Sequence, residues 1–184
     1  MTDHQRPAGP AARIQAVGEQ DWELWRGLRL AALAQAPQAF KSRLADWERG
    51  GEARWRERLA DPRALNLVAR SAGEPVGLAS GVPSGHDPAE ACELRSLWVA
   101  PQARGRGVAD LLIGEVEAWA RRRGARTLRL AVIPGNAPAT AAYRRHGFQD
   151  SAVLGDLLPD GTTRELVLEK SLDARPAGSR ESPS

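Results

Sequence analysis

Residues 99–112 read VAPQARGRGVADLL, two glycines and three arginine or glutamine side chains set between a β-like run and an apolar run of helical period. A glycine-rich turn that opens a helix collects unpaired backbone N–H groups at the positive end of the helix dipole, so the stretch is built to receive an anion. Working outward fixes the setting. Upstream, CELRSLWV (residues 92–99) alternates by twos, with Glu93, Arg95, Leu97 and Val99 on one face and Leu94, Ser96 and Trp98 on the other. Downstream, Val108, Leu111, Leu112, Val116, Trp119 and Ala120 recur at helical spacings, and the helix closes on Arg121, Arg122, Arg123 and Gly124. That arginine run reads as charge placed against the negative helix end, with glycine as cap.

The flanking segments complete a mixed sheet. RIQAV (13–17) is a short strand, residues 20–35 a helix marked by Trp22, Trp25, Leu28, Leu30, Ala32 and Leu33, and residues 46–59 a second amphipathic helix interrupted at Gly50 and Gly51. ALNLVAR and VGLASGV form an antiparallel hairpin about SAGEP, and PSGHDPAEA is a loop. TLRLAVI is a strand, residues 136–146 a helix stopped by Gly147, and FQDSAVL with TRELVLEK a closing hairpin around PDGTT. The order β-α-α-β-β-β-α-β-α-β-β gives an α/β (α+β) fold, with one right-handed crossover through the glycine turn. Residues 12–170 are expected to be one domain, with loose ends over 1–11 and 171–184.

Composition excludes several classes. The chain has 184 residues, 42% hydrophobic and 27% charged, which suits a single globular domain. No apolar run reaches membrane-span length, and the first residues are polar, so a cytoplasmic, membrane-free protein is expected. Cys92 is the only cysteine, and His4, His86 and His146 are scattered, which leaves no disulfide and no metal expected. The sequence pI is about 9.7, yet the net charge is only +3 with both signs interspersed, so nucleic acid is not called for. A P-loop would need lysine and then Ser or Thr where Val108 and Ala109 stand, and a dinucleotide fingerprint a third glycine at Asp110.

What remains is Gln102-x-x-Gly105-x-Gly107 between strand and helix, followed by NAPATAAYRRHGF, in which Asn136, Ala139, Tyr143, Gly147 and Phe148 are spaced as a second motif. This pair resembles the GNAT superfamily of acetyl-coenzyme A-dependent N-acetyltransferases, over residues 93–148 in motif and 12–170 in topology. The resemblance implies a mostly antiparallel, six- to seven-stranded central sheet flanked by about four helices, with two central strands splayed apart. It implies acetyl-CoA as donor and direct transfer to a primary amine, with homodimers common in the family.

On that pattern the amides of residues 104–109 cradle the pyrophosphate: Arg104, Gly105, Arg106, Gly107, Val108 and Ala109, glycine being needed where a Cβ would hold the phosphate off. Arg104 and Arg106 add charge at the mouth, while Asp110 should point away. Backbone groups of Leu97, Trp98 and Val99 pair with the pantetheine arm, and one polarises the thioester carbonyl. Asn136 and Tyr143 lie two turns apart on one helix face with Ala139 between. Tyr143 is implied as the general acid for the thiolate, or else a core aromatic. Glu93 is the candidate base, or else an edge glutamate paired with Arg95 or Arg129; His86 and Glu90 are further bases, and Cys92 a buried filler. Trp22, Trp25, Trp47 and Trp55 wall an acceptor pocket or fill the core, and Asp46 and Glu48 attract a cation or are simply solvated. A non-catalytic acyl-CoA-binding module of the same fold is the alternative function.

Overall fold

The computed structural model describes residues 11–84 and 90–173. His86 and most of the expected loose ends lie outside the described residues. Seven strands form one sheet: β1 (Arg13–Ala16), β2 (Leu65–Ser71), β3 (Glu74–Ser84), β4 (Ala91–Val99), β5 (Thr127–Val132), β6 (Gln149–Asp150) and β7 (Leu166–Ser171). Their order is β1-β2-β3-β4-β5-β7-β6, antiparallel throughout except for β4 beside β5. Five α-helices accompany them: α1 (Trp22–Gln35), α2 (Leu44–Glu48), α3 (Glu52–Ala60), α4 (Val108–Arg122) and α5 (Ala137–Arg145). The second expected helix is thus two, broken where Gly50 and Gly51 lack the side chains to hold a continuous turn.

The sheet is sandwiched between α4 on one face and α1 with α3 on the other. The α4 stripe Val108, Leu112, Ile113, Val116, Trp119 and Ala120 is buried, and it lies close because β3 offers glycines beneath it. A Cβ on Gly81 would stand 2.7 Å from two ring carbons of Trp119 and 3.1 Å from Val116. Gly81→Ala should therefore destabilise the fold by about 1–3 kcal/mol, read as a lowered denaturation midpoint with an unchanged slope, since overpacking must move an indole or the helix. An unchanged midpoint would show that α4 is not seated as described.

Three local expectations need correction. The alternation along β4 does not run unbroken: Ser96 takes φ +58°, and the β3 register slips between Leu78 and Ser80. This bulge gives β4 one residue too many and turns the strand's faces over. Glu93 and Arg95 share the α1–α3 side with Trp98, whose indole N–H donates to Gln35 of α1 at 3.0 Å, and not with Val99, which pairs with Gly77 beneath α4. The closing hairpin has only two residues, Gln149–Asp150, as its first strand, and residues 151–165 make a long excursion held by one bridge between Leu157 and Arg164. At the far end, β7 reaches Ser171, and Leu172 is buried with its amide on the Arg126 carbonyl, two residues beyond the expected domain edge.

Gly124 ends the turn at φ +78°, as expected, whereas the arginines turn to other partners: Arg121 pairs with Glu117 and donates to the Leu172 carbonyl, and Arg123 lies over the Trp119 ring. Among the described residues, no helix is long and apolar enough to cross a membrane.

Candidate active site

The parallel pairing of β4 with β5 is short. It joins Ala91, Cys92 and Glu93 to Thr127, Leu128 and Arg129 and then stops, so the two strands diverge over the rest of their length. Beyond Glu93, β4 keeps its bonds to β3 on one side and opens on the other. Ala100 donates to Val76 across β3, and antiparallel alternation then turns the Trp98 backbone toward β3 and the Leu97 and Val99 groups into the gap. Of the three expected residues, Trp98 therefore offers no main-chain group there. The Val99 carbonyl already accepts from Arg104 Nε at 3.0 Å.

The glycine turn lies at the wide end of this gap. Gly105 and Gly107 have φ of +70° and +76°, a left-handed backbone that side chains rarely adopt. Pro101–Ala103 forms a 3-10 turn that carries the exposed Gln102, and the Arg104 amide closes it onto the Pro101 carbonyl at 3.3 Å. Among the described residues, the next six amides, of residues 105–110, have no backbone acceptor; the series resumes with Leu111 on Gly107. The cradle thus begins one residue later than the sequence suggested and ends one later. Neither arginine plays the expected part without qualification: Arg104 folds back onto Val99 and onto Gln35 (2.7 Å), and only Arg106 extends from the turn into solvent. Asp110 does not point away. Its Oδ1 sits 2.6 Å from His146 Nε2, and both residues line the groove.

A groove of about 740 Å³ runs from this turn between Val99, Ala109 and Ile113 on one side and Pro134, Asn136, Ala139 and Tyr143 on the other. At its inner end lies a second cavity of about 400 Å³ on the α1–α3 side, and Leu97, Asn136, Ala139 and Tyr143 line both. The junction is built by α5. Asn136 caps it, its side-chain oxygen accepting the Ala139 amide at 3.3 Å, and Pro138 stands in the first turn, where no N–H is needed. Gly147 at φ +85° stops it, and Phe148, fully buried, packs edge-on against Tyr143 with centroids 6.0 Å apart. Burial pushes the Tyr143 phenol up to about 12, so it holds its proton at every physiological pH.

The inner cavity brings together residues far apart in the sequence. Trp25, Trp47 and Trp55 wall it, so three of the four tryptophans are at once core and pocket; Trp22 instead lies under Arg56. Asp46 and Glu48 are exposed and stand outside the lining. Glu93 is present, but its Oε2 accepts from Arg95 at 2.7 Å, and Arg129 turns to Glu169 instead. Cys92 is fully buried on the opposite face, its thiol raised by burial, as a filler should be.

Five charged cavity residues went unread, Arg29, Lys41, Arg58, Asp156 and Glu165. Glu165 and Asp156 arrive on the long excursion, and burial, followed by the nearby Asp156 and Glu93 charges, pushes the Glu165 carboxyl up despite Lys41. Lys41 bonds Asp156 at 2.8 Å on the rim. Arg29 was legible in principle, since it occupies the i+4 place in the buried stripe Trp25, Leu28, Ala32 and Leu33, where Leu30 had been expected.

Comparisons with known proteins agree with this geometry. The family model described as acetyltransferase (GNAT) family matches residues 29–148. The chain is similar to a mycothiol acetyltransferase of Cellulomonas flavigena, 33% identical over 155 residues, which are 81% of this chain; it spans only 43% of that protein's length. It is 27% identical over 144 residues to an aminoglycoside N(6')-acetyltransferase type 1 of Salmonella enteritidis, covering 75% of this chain and 92% of the other. Among solved structures, a ribosomal-protein-alanine N-acetyltransferase from Brucella melitensis superposes with TM-score 0.68 at 26% identity, over 86% of this chain and 99% of that one. The yncA structure from Salmonella typhimurium, solved with its cofactor acetyl-CoA, shares the fold, with TM-score 0.67 at 20% identity over 92% and 99% of the two chains. With well over half its length matched by the family model, the chain belongs to the acetyltransferase (GNAT) family and is an acyltransferase.

Proposed function

We propose that the protein moves the acetyl group of acetyl-CoA directly to a primary amine, with no covalent intermediate on the protein. The observation that carries this reading is the continuity of the channel. Six free amides stand at one end of the β4–β5 gap, Tyr143 and Leu97 at its waist, and a walled cavity of acceptor size beyond. A thin, extended ligand with a diphosphate at one end and an acyl group at the other fits such a channel. Acetyl-CoA supplies an activated acyl group as a thioester.

The chain's own residues do the rest. The amides of residues 105–110 bind the diphosphate at the α4 N-terminus, where the helix dipole favours negative charge. The Leu97 and Val99 amides in the gap hold the pantetheine arm, as a missing strand would be held, and one of them faces the carbonyl oxygen where negative charge develops. Tyr143 donates its phenolic proton to the departing sulfur. An ammonium must lose a proton before it attacks, and a carboxylate in the acceptor cavity removes it. Glu93 remains our base, acting with Arg95 bonded to it, and Glu165 is the second carboxylate within the same cavity. The known relatives are named for acceptors as unlike as an aminoglycoside, streptothricin and a ribosomal-protein alanine. The acceptor therefore has to come from this cavity. The donor is an intracellular metabolite, which supports a cytoplasmic location.

The test is release of free thiol from acetyl-CoA across a panel of amines, followed as a function of pH. With an accepted amine, kcat should rise through an acid limb as the base and the amine shed protons, then stay level to about pH 10, because Tyr143 keeps its proton beyond that range. A fall in kcat centred between about pH 8 and 9.5 would mean that another group is the acid.

A further inference from the structure

The acceptor cavity is lined by charges of both signs, and two of its arginines, Arg29 and Arg58, stand outside the ion pairs around it. Arg29 is 8% exposed, on the buried face of α1, and lines the cavity. Its guanidinium lies 4.6 Å over the Phe40 ring, and one of its terminal nitrogens, Nη1, has no hydrogen-bond partner. Arg58 of α3 comes close enough for the two charges to repel. Its partners are neutral: the Asn66 side-chain oxygen at 3.3 Å and the Ser80 hydroxyl at 3.2 Å. Among the described residues, neither arginine forms an ion pair, whereas Arg95 beside them is bonded to Glu93. The acids of the cavity, Glu93, Asp156 and Glu165, gather around Arg95 and Lys41 instead.

A buried guanidinium with an unpartnered Nη1, beside a half-buried one that feels both Arg95 and Asp61, is unfavourable in the protein alone. Each has lost hydration, and each opposes the other. Such an arrangement persists where an anion completes it, and a guanidinium's planar fork suits a carboxylate held by two parallel hydrogen bonds. The carboxylates lining the same cavity, Glu93, Asp156 and Glu165, suit an ammonium. Resting on the acetyl-transfer reading above, we propose that the acceptor is a primary amine that also bears a carboxylate, with Arg29 and Arg58 binding the carboxylate and fixing the amine toward Tyr143. Both a free amino acid and the C-terminus of a short peptide carry this chemistry. The indoles of Trp25, Trp47 and Trp55 and the ring of Phe40 give the cavity an apolar wall for the intervening carbon frame.

The experiment compares matched pairs. L-phenylalanine, the dipeptide glycyl-phenylalanine and 6-aminohexanoate are each assayed for kcat/KM against the corresponding carboxamide, with wild type, Arg29→Gln and Arg29→Lys. Wild type should favour at least one of the three acids over its amide by about 30-fold or more, and which one reports the spacing between the arginines and the carboxylates. Arg29→Gln should reduce that ratio to within about 3-fold, mainly through KM, while Arg29→Lys, which keeps the charge and loses the fork, should retain part of it. In parallel, 3-phenylpropanoate, a carboxylate with no amine, is titrated into CoA-saturated and free protein. Saturable binding by wild type that Arg29→Gln loses supports the proposal independently of turnover, and thermal denaturation identifies any variant that fails to fold. If amides are acetylated as well as acids and 3-phenylpropanoate does not bind, the proposal is overturned while acetyl transfer stands. If neither acids nor 3-phenylpropanoate are bound, it is overturned whatever the activity. Carboxylate binding with no acetylation of any amine would keep the anion-binding arginines and remove the acetyl-transfer reading.

Discussion

Gly107→Val should raise the dissociation constant for coenzyme A by at least about 100-fold, measured by calorimetry, with the fold retained. Gly107 stands at φ +76° directly before α4, and a Cβ there would meet only Asp110 Oδ2, 3.8 Å away. The protein itself thus has room for a side chain, and what the side chain would displace is the ligand. Valine adds a second effect, since a β-branched residue resists the left-handed region and pulls the turn toward another conformation, at a cost of about 1–2 kcal/mol. Loss of two charge-assisted amide bonds to the diphosphate, at about 1.5 kcal/mol each, accounts for the predicted factor. Gly114→Ala is the control: that glycine is exposed in mid-α4 with nothing within 4 Å of its Cβ position, and its replacement should leave affinity unchanged. Undiminished binding by Gly107→Val would remove the main-chain cradle from the account.

Tyr143→Phe should lower kcat by about 100- to 1,000-fold while leaving affinity for coenzyme A within about 2-fold. The ring stays, and with it the edge-on contact to Phe148 that fixes the end of α5, so the substitution removes one hydroxyl from the junction of the two cavities and little else. Thiol release at saturating acetyl-CoA and amine reads the first number, and calorimetry the second. A kcat within a few-fold of wild type would assign Tyr143 to packing alone.

Much of this site was legible because its parts are local. Gly105 and Gly107 announce a turn that needs positive φ, Asn136 and Pro138 the start of a helix, and the spacing from Asn136 to Tyr143 puts both on one face of it; each follows from short-range sterics and hydrogen bonding. The motif resemblance then joined two segments that periodicity alone leaves separate. What stayed hidden depends on partners distant in the chain. The bulge at Ser96 exists only in relation to β3, and no property of CELRSLWV betrays that its faces exchange midway. Arg104 reads as a free cation until α1 brings Gln35 beside it. Asp156 and Glu165 belong to a segment taken for a plain hairpin, and their entry into the acceptor cavity follows from the long excursion before β7. Arg29 differs: its place in an apolar stripe was a visible anomaly, and a buried cation without a partner is the kind of local conflict that marks function.

The central claim is that main-chain hydrogens on the β4–α4 turn and on the open side of β4 grip the acetyl donor. Mapping backbone amide chemical shifts of the 15N-labelled protein during titration with coenzyme A tests it most directly. Large, saturable downfield shifts are predicted for the amides of residues 105–110, together with changes at Leu97 and Val99, while the Trp98 amide, bonded toward β3, moves little. Shifts confined to other surfaces, with the amides of the glycine turn unmoved at saturation, would contradict it.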